Sequence, residues 1–383
     1  MVATQSPCIQ AEEFLADLHF HQTITIPACD DYGELTISYA DYGIHENEIY
    51  APCVIHDSSD REETPVVLFM PGMYASRFLG CFMHVIATKH GVRLLFVDRF
   101  GFGKTTMVPV EKRVETWAKI VPKLLGALGI KHVALMSHSA GTIYLLNVLW
   151  HCRQILHPKH PQIIFFAPWV DAVHSDSPLM VVAQALPVFA IDYWNKFSGF
   201  IAVRAVGAID ASSGVLSKLN NELFPGSKSE PERESPARIM ETEYGLGIDL
   251  QVEINKLAIK KMFSEVSVGA KSEVALCLKR GPIGSWDEVE DMSALVKRIC
   301  SREKLSSVTG QTKLCVKIYF AESDIMSGKA GQRYFESCWT GQDAELDDCC
   351  NLTVKTIPET DHDSIVLKLS VLREVFERIG ETH

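Results

Sequence analysis

The sequence element best suited to chemistry is Ser139 in the run SHSAG, which joins an apolar run to a helical one. A serine on a sharp strand-to-helix turn has its hydroxyl exposed, and the turn demands small residues two positions either side. Gly141 meets that demand, and Ser137 stands where glycine is usual. Such a serine becomes a nucleophile only with a base, and the base needs an orienting carboxylate. In the α/β fold that carries such a turn they follow in chain order Ser, then Asp or Glu, then His. Asp324 lies just past the apolar run LCVKIYF (Leu314–Phe320) and is the expected acid. Beyond it only His362 and the terminal His383 remain of 14 histidines, and a chain end frays. His362, between a strand and the last helix, is therefore the expected base.

Other carboxylates compete with Asp324. Asp171 follows the run Gln162–Val170 and is the alternative acid; Glu322 has the right chemistry but the wrong place in its loop. Asp361 and Asp363 flank His362 and suit solvent or helix capping. A tetrahedral oxyanion needs two fixed N–H donors. Ala140, next to the nucleophile, should give one, and Met73, in the loop Pro71-Gly72-Met73, the other. Gly72 would let that backbone turn inward. His138 reads as a packing or gating residue rather than a second base.

The elements needed to position these groups are visible. HQTITI (His21–Ile26) and ELTISYA (Glu34–Ala40) alternate like the strands of a hairpin, with Asp30-Asp31-Tyr32-Gly33 as its turn. PVVLFM (Pro65–Met70), VRLLFVD (Val92–Asp98), HVALMS (His132–Ser137) and QIIFFAPWV (Gln162–Val170) are continuous apolar runs, as in parallel strands buried on both faces. Helical segments fall between them, at Arg77–His90, Val114–Gly129 and Ala140–Leu156. The rhythm stops for about 140 residues (Asp171–Thr312), in which Asp249–Lys279 and Trp286–Lys304 look helical. It resumes with Leu314–Phe320, the helix Lys329–Trp339, the strand LTVKTI (Leu352–Ile357) and the closing helix Ser364–Arg378. The expected fold class is α/β: a mostly parallel central sheet covered by helices on both faces, with a mostly helical cap inserted before the last strands. The expected division is 1–170 for the first part of the core with its N-terminal hairpin, 171–312 for the cap, and 313–383 for the second part, carrying acid and base.

Composition narrows the function classes. Apolar residues make up 47% of the 383, so a large core can form. A net charge of −11 without a Lys/Arg block argues against a nucleic-acid partner. The 11 cysteines are scattered and never spaced C-x-x-C, which suits small buried residues in a reducing compartment. The opening MVATQSPCIQAEEF has neither a basic nor an apolar leader region, so the expected location is cytoplasmic. Between Asp176 and Asp192 lie 15 uncharged residues including Pro187, short of the roughly 20 that span a bilayer, so no stable membrane span is expected. Gly103-Lys104-Thr105 ends like a phosphate loop, but Asp98 occupies the place of its first glycine. Thr106 likewise spoils G-x-G-x-x-G, and no metal-ligand spacing occurs. Neither a metal nor another cofactor is expected. Oligomeric state is not legible.

The motifs PVVLFMPG, LLFVDRFGFGKT, ALMSHSAG, KIYFAESD and the His362 loop, in that order, resemble the α/β-hydrolase superfamily, in its esterase/lipase branch with a cap insertion. The likeness covers Ile24–Val170 and Leu314–Arg378, and SHSAGTIYLLN and APWV are similar in style to uncharacterised fungal α/β-hydrolases. Members commonly carry His-Gly at Pro71-Gly72 and Gly at Ser137. The resemblance implies a serine hydrolase of an ester, lactone or thioester with an apolar part, acting through an acyl-enzyme. Epoxide hydrolases and haloalkane dehalogenases of this fold use an Asp nucleophile, so Ser139 implies acyl chemistry. Two alternatives use the same chain: acyl transfer or carbon–carbon bond hydrolysis on a polyketide-like natural product, and a non-hydrolytic small-molecule receptor. Met180, Phe189, Trp194 and Trp286 are the candidates for an apolar substrate pocket.

Overall fold

A computed structural model describes residues 5–43, 64–185, 235–265, 269–308, 310–341 and 350–381. Eight strands form one sheet: β1 (Gln22–Ile26), β2 (Leu35–Tyr42), β3 (Val66–Met70), β4 (Arg93–Val97), β5 (Ala134–His138), β6 (Gln162–Phe166), β7 (Leu314–Ser323) and β8 (Cys350–Asp361). Their spatial order is β1-β2-β4-β3-β5-β6-β7-β8. The hairpin β1–β2 joins β4 antiparallel, and every pairing from β4 to β8 is parallel. Beside β3 the order reverses, β4 lying on one side and β5 on the other. Loops leaving such a point diverge and open a crevice at the carboxyl edge of the sheet.

The continuous apolar runs are explained by burial on both faces. Leu68, Leu95, Leu135, Ile163 and Phe165 feed one core with Trp117, Ile120, Ile143, Phe335 and Trp339 from the helices Arg113–Ala127, Gly141–His151 and Gly328–Thr340. Their neighbours Val67, Phe69, Phe96, Met136 and Ile164 feed the other core, with Ile86, Leu372 and Phe376 from the helices His84–Lys89 and Leu369–Glu381. Strand residues alternate between faces, so a strand covered on both sides has no polar position to reveal its period.

Between β6 and β7 the described residues form helices and no strand, as the sequence predicts. The expected helix Asp249–Lys279 is two helices, Ile248–Ser264 and Gly269–Cys277. The first adds Ile254 and Ala258 to one core; the second adds Val274 and Leu276 to the other. Arg77–His90 also divides, into a tight turn Arg77–Phe82 and the helix His84–Lys89. A helix Pro7–Leu15, not predicted, packs against Ile248–Ser264. Among the described residues no helix is long and apolar enough to cross a membrane.

Asp98, which excludes a phosphate loop, proves to organise the turn after β4. Its buried carboxylate accepts from the Arg77 backbone N–H at 2.7 Å, the Arg77 guanidinium at 2.5 Å and the Ser38 hydroxyl at 2.7 Å. Thr105 Oγ1 donates to the Asp98 carbonyl and accepts from Ser38 N, so the GKT turn is tied to β2. Removing one partner from a buried ion pair costs about 3–5 kcal/mol, because the other charge is left bare. Arg77 keeps a second carboxylate, Glu265, at 2.5 and 3.1 Å, so Asp98→Ala should lose less than this, about 1–3 kcal/mol of unfolding free energy in urea titration. A loss below about 1 kcal/mol would show that solvent reaches Arg77 freely.

Candidate active site

β5 ends at His138, and Ser139 turns the chain into the helix Gly141–His151 with φ of +50°, a conformation that non-glycine side chains rarely adopt. Fixed hydrogen bonds hold the strained residue in place. Its N–H donates to Phe166 O at 3.1 Å, and its carbonyl accepts from Thr142 N at 2.9 Å and Trp169 N at 3.2 Å. Gly141 must be glycine, since a Cβ there would lie 1.9 Å from Met70 O. Ser137 fits in place of the usual glycine. Its buried hydroxyl, however, has no partner among the described residues, an omission that costs about 1–3 kcal/mol.

The three residues singled out from the sequence meet at the carboxyl ends of β5, β7 and β8. His362 Nε2 lies 2.7 Å from Ser139 Oγ, and His362 Nδ1 lies 2.9 Å from Asp324 Oδ1. The same Asp324 oxygen accepts the backbone N–H groups of Met326 (2.8 Å) and Ser327 (2.9 Å), which aims the carboxylate. A carboxylate can only accept, so Nδ1 carries a proton, and in the neutral ring Nε2 is the nitrogen that can accept from the serine hydroxyl. All three side chains are buried.

His138 has a role that reading the sequence did not find. Its Nε2 donates to the backbone carbonyl of His362 at 2.7 Å and so fixes the main chain that carries the base. Burial and the neighbouring His362 hold His138 down at about 4, so it stays neutral at physiological pH. Its ring lies against Gly72, where an added Cβ would sit 2.8 Å from His138 Nδ1. Gly72 is thus required by a close approach and not only by a turn. The N–H groups of Met73 and Ala140 follow β3 and Ser139 respectively, and neither donates to another group among the described residues.

The remaining candidates have other positions. Asp171 forms an ion pair with Lys279 at 2.9 Å and caps Val173 N, so its carboxylate is engaged away from His362. Glu322 accepts from Glu359 N at 2.9 Å, and Asp361 caps Ser364 N at 2.8 Å. Met180 and Trp286 pack in the apolar core, the Trp286 indole N–H donating to Leu276 O. Phe189 and Trp194 lie outside the described residues. His138, His362 and Asp363 bring possible ligand atoms within 4.8 Å of one another. Both His362 ring nitrogens and His138 Nε2 are already engaged, which leaves one ring nitrogen for an ion.

Arg99, in the turn after β4, reaches the same place from beneath. It is buried, and its two terminal nitrogens donate to the carbonyls of Pro71 and Gly72, the latter at 2.5 Å. Glu273, from the helix Gly269–Cys277, pairs with Arg99 Nε at 3.1 Å and Arg113 Nη2 at 2.6 Å, and accepts the Tyr144 hydroxyl at 2.6 Å. Burial would raise the Glu273 carboxyl, but the two guanidinium groups prevail and hold it below its ordinary value. A charged residue beside an apolar run was the available signal for Arg99; nothing in the spacing linked it to Glu273.

No family model matches the chain, and no curated protein matches it. Solved structures do match. A candidate aryl esterase from Burkholderia cenocepacia superposes with a TM-score of 0.52 at 10% identity, over 94% of this chain and 100% of that one. The enol-lactonase from Burkholderia xenovorans LB400 gives 0.48 at 12% identity, over 91% of this chain and 97% of that one. A thermophilic esterase from Thermogutta terrifontis gives 0.46 at 14% identity, over 94% and 99%. At such identities the likeness is one of fold alone. With the strand order and the β5 turn described above, the similarity to the Burkholderia cenocepacia protein shows that the chain has the α/β-hydrolase fold.

Proposed function

We propose that the protein is a serine hydrolase that cleaves an ester, lactone or thioester with an apolar part. The observation that carries this reading is the continuous chain Ser139 Oγ, His362 Nε2, His362 Nδ1, Asp324 Oδ1, with gaps of 2.7 and 2.9 Å. Ser139 Oγ attacks the substrate carbonyl carbon as His362 Nε2 takes the hydroxyl proton, and the carbonyl π electrons move onto oxygen. The Ala140 and Met73 N–H groups receive that oxyanion, each such donor contributing about 3 kcal/mol to the transition state. The intermediate collapses by expelling the alcohol or thiol, which leaves with the proton from His362. Water, deprotonated by His362 in turn, releases the acid from Ser139.

An apolar substrate part is supported by exposed apolar side chains beside Asp324 in sequence and on a helix tied to that loop. Ile325 follows the acid directly and is 54% exposed, while Val181 and Val182, on the helix Pro178–Ala185, are 64% and 55% exposed. The Ser177 hydroxyl, at the start of that helix, donates to the Ile325 carbonyl and ties the two segments together.

The electrostatics set the pH range. Burial pulls His362 down, but the Asp324 carboxylate outweighs it and the base is pushed up to about 9. His362 must be neutral to accept the serine proton, so kcat/KM for a neutral ester should rise with pH along a limb above 6.5, the ordinary value of the group. The stability contribution has the opposite sense: the protonated His362 stabilises the fold below pH 6.5, and this is lost as pH rises through about 9. Asp324→Asn should move the limb downward and lower kcat by about 10³–10⁴-fold. A limb unmoved by that change would show that Asp324 does not hold His362.

The direct test is active-site labelling. A fluorophosphonate should modify the native protein and leave Ser139→Ala unmodified. Turnover of aryl esters and thioesters of graded acyl length should fall to the uncatalysed rate in the same variant. Equal labelling of both proteins would overturn the reading.

A further inference from the structure

Arg99 stands outside the serine, histidine and acid, yet it holds both carbonyls of the loop that would receive the oxyanion. The peptide bonds here are trans, so the carbonyl and the N–H of one peptide unit point in opposite directions. The Gly72 carbonyl belongs to the same unit as the Met73 N–H, and the Pro71 carbonyl to the same unit as the Gly72 N–H. Drawing both carbonyls onto one guanidinium therefore turns both N–H groups the other way. Ala75 N adds a second bond to the Gly72 carbonyl at 3.1 Å, which holds that plane from another side.

Arg99 is in turn held in place. Glu273 Oε2 faces Arg99 Nε at 3.1 Å as an ion pair with no hydrogen bond between them, while the other oxygen, Oε1, accepts from Arg113 Nε and Nη2 at 3.0 and 2.6 Å and from the Tyr144 hydroxyl at 2.6 Å. Arg113 also donates to the carbonyls of Phe100 and Val108, which anchors it to the turn after β4. Arg99, Arg113, Glu273 and Tyr144 are at most 1% exposed. Two cations and one anion leave a net positive charge beneath the loop, on the carbonyl side of its peptide dipoles. That sign draws electron density toward the carbonyl oxygens and strengthens the N–H groups on the opposite side as donors.

We propose that Arg99, set by Glu273 of the helical insertion, is the positioning residue for the Met73 oxyanion donor. The inference rests on the reading of Ser139 as the nucleophile. It extends that reading by making a helix inserted between β6 and β7 part of what shapes the oxyanion site. Lysine cannot replace Arg99, because a single ammonium lacks the planar fork that spans two carbonyls and a carboxylate.

The test uses the full chain and two probes, 4-nitrophenyl butyrate and an alkyl trifluoromethyl ketone. The ketone forms a bond from Ser139 Oγ to its carbonyl carbon, its π electrons become the oxyanion, and the serine proton passes to His362. It therefore reports oxyanion binding without a leaving group. Arg99→Lys and Glu273→Gln should each lower kcat and weaken ketone inhibition in parallel, by about 10–100-fold, with KM within about threefold of wild type. Tyr144→Phe, which removes one hydroxyl donor to Glu273, should shift both constants the same way by less. Where Arg99→Lys does not give a cooperative melt, Glu273→Gln and then Tyr144→Phe carry the test. A folded Arg99→Lys or Glu273→Gln variant with unchanged kcat and ketone inhibition, or with a raised KM alone, overturns the proposal. A wild-type protein inert toward both probes overturns instead the assignment of Ser139 on which it stands.

Discussion

Parallel pairing is the constraint from which the rest follows. Because β3 to β8 run in one direction, their carboxyl ends share one edge, and residues far apart in sequence are delivered there by chain direction alone. Ser139, Asp324 and His362 come from the ends of β5, β7 and β8, and Met73 from the end of β3. Slipping one strand by a residue would turn every side chain to the other face and remove its partner from the edge. Burial on both faces forbids that slip, since each face has its own core. The meeting of Ser139, His362 and Asp324 is therefore a by-product of two hydrophobic cores that cannot exchange residues.

Near the site the chain satisfies its buried polar groups by using backbone carbonyls as anchors. His138 grips the carbonyl of His362, Arg99 those of Pro71 and Gly72, and Arg113 those of Phe100 and Val108. A carbonyl cannot titrate or rotate independently of its chain, so each such bond fixes main chain rather than a mobile side chain. Not every buried polar atom is satisfied: the Ser137 hydroxyl, Lys317 Nζ, Asp324 Oδ2, Arg99 Nε and Glu273 Oε2 have no hydrogen-bond partner among the described residues.

What could be read from the sequence was local. Ser139 was legible because its turn demands small neighbours, and His362 because elimination left no other histidine after Asp324 except the terminal His383. The buried strands were legible as apolar runs. The end of one helix at Ser264 was not, and neither was the division of Arg77–His90 into a tight turn and a helix. There Gly80 lies against the rings of Tyr42 and Phe96, a packing relation between distant segments. The pairing of Arg99 with Glu273 was hidden for the same reason: 174 positions separate them, and no periodicity records an ion pair closed by the fold.

That ion pair bears on how such a protein can diversify. Insertions between sheet strands are commonly regarded as exchangeable modules set on a conserved scaffold. Here the insertion supplies the only carboxylate among the described residues that pairs with Arg99 and Arg113. Any replacement segment would have to bring an acid to the same point or arrive together with the loss of both arginines. Scaffold and insertion are thus coupled through one buried carboxylate, and a change on either side of that contact has to be matched on the other.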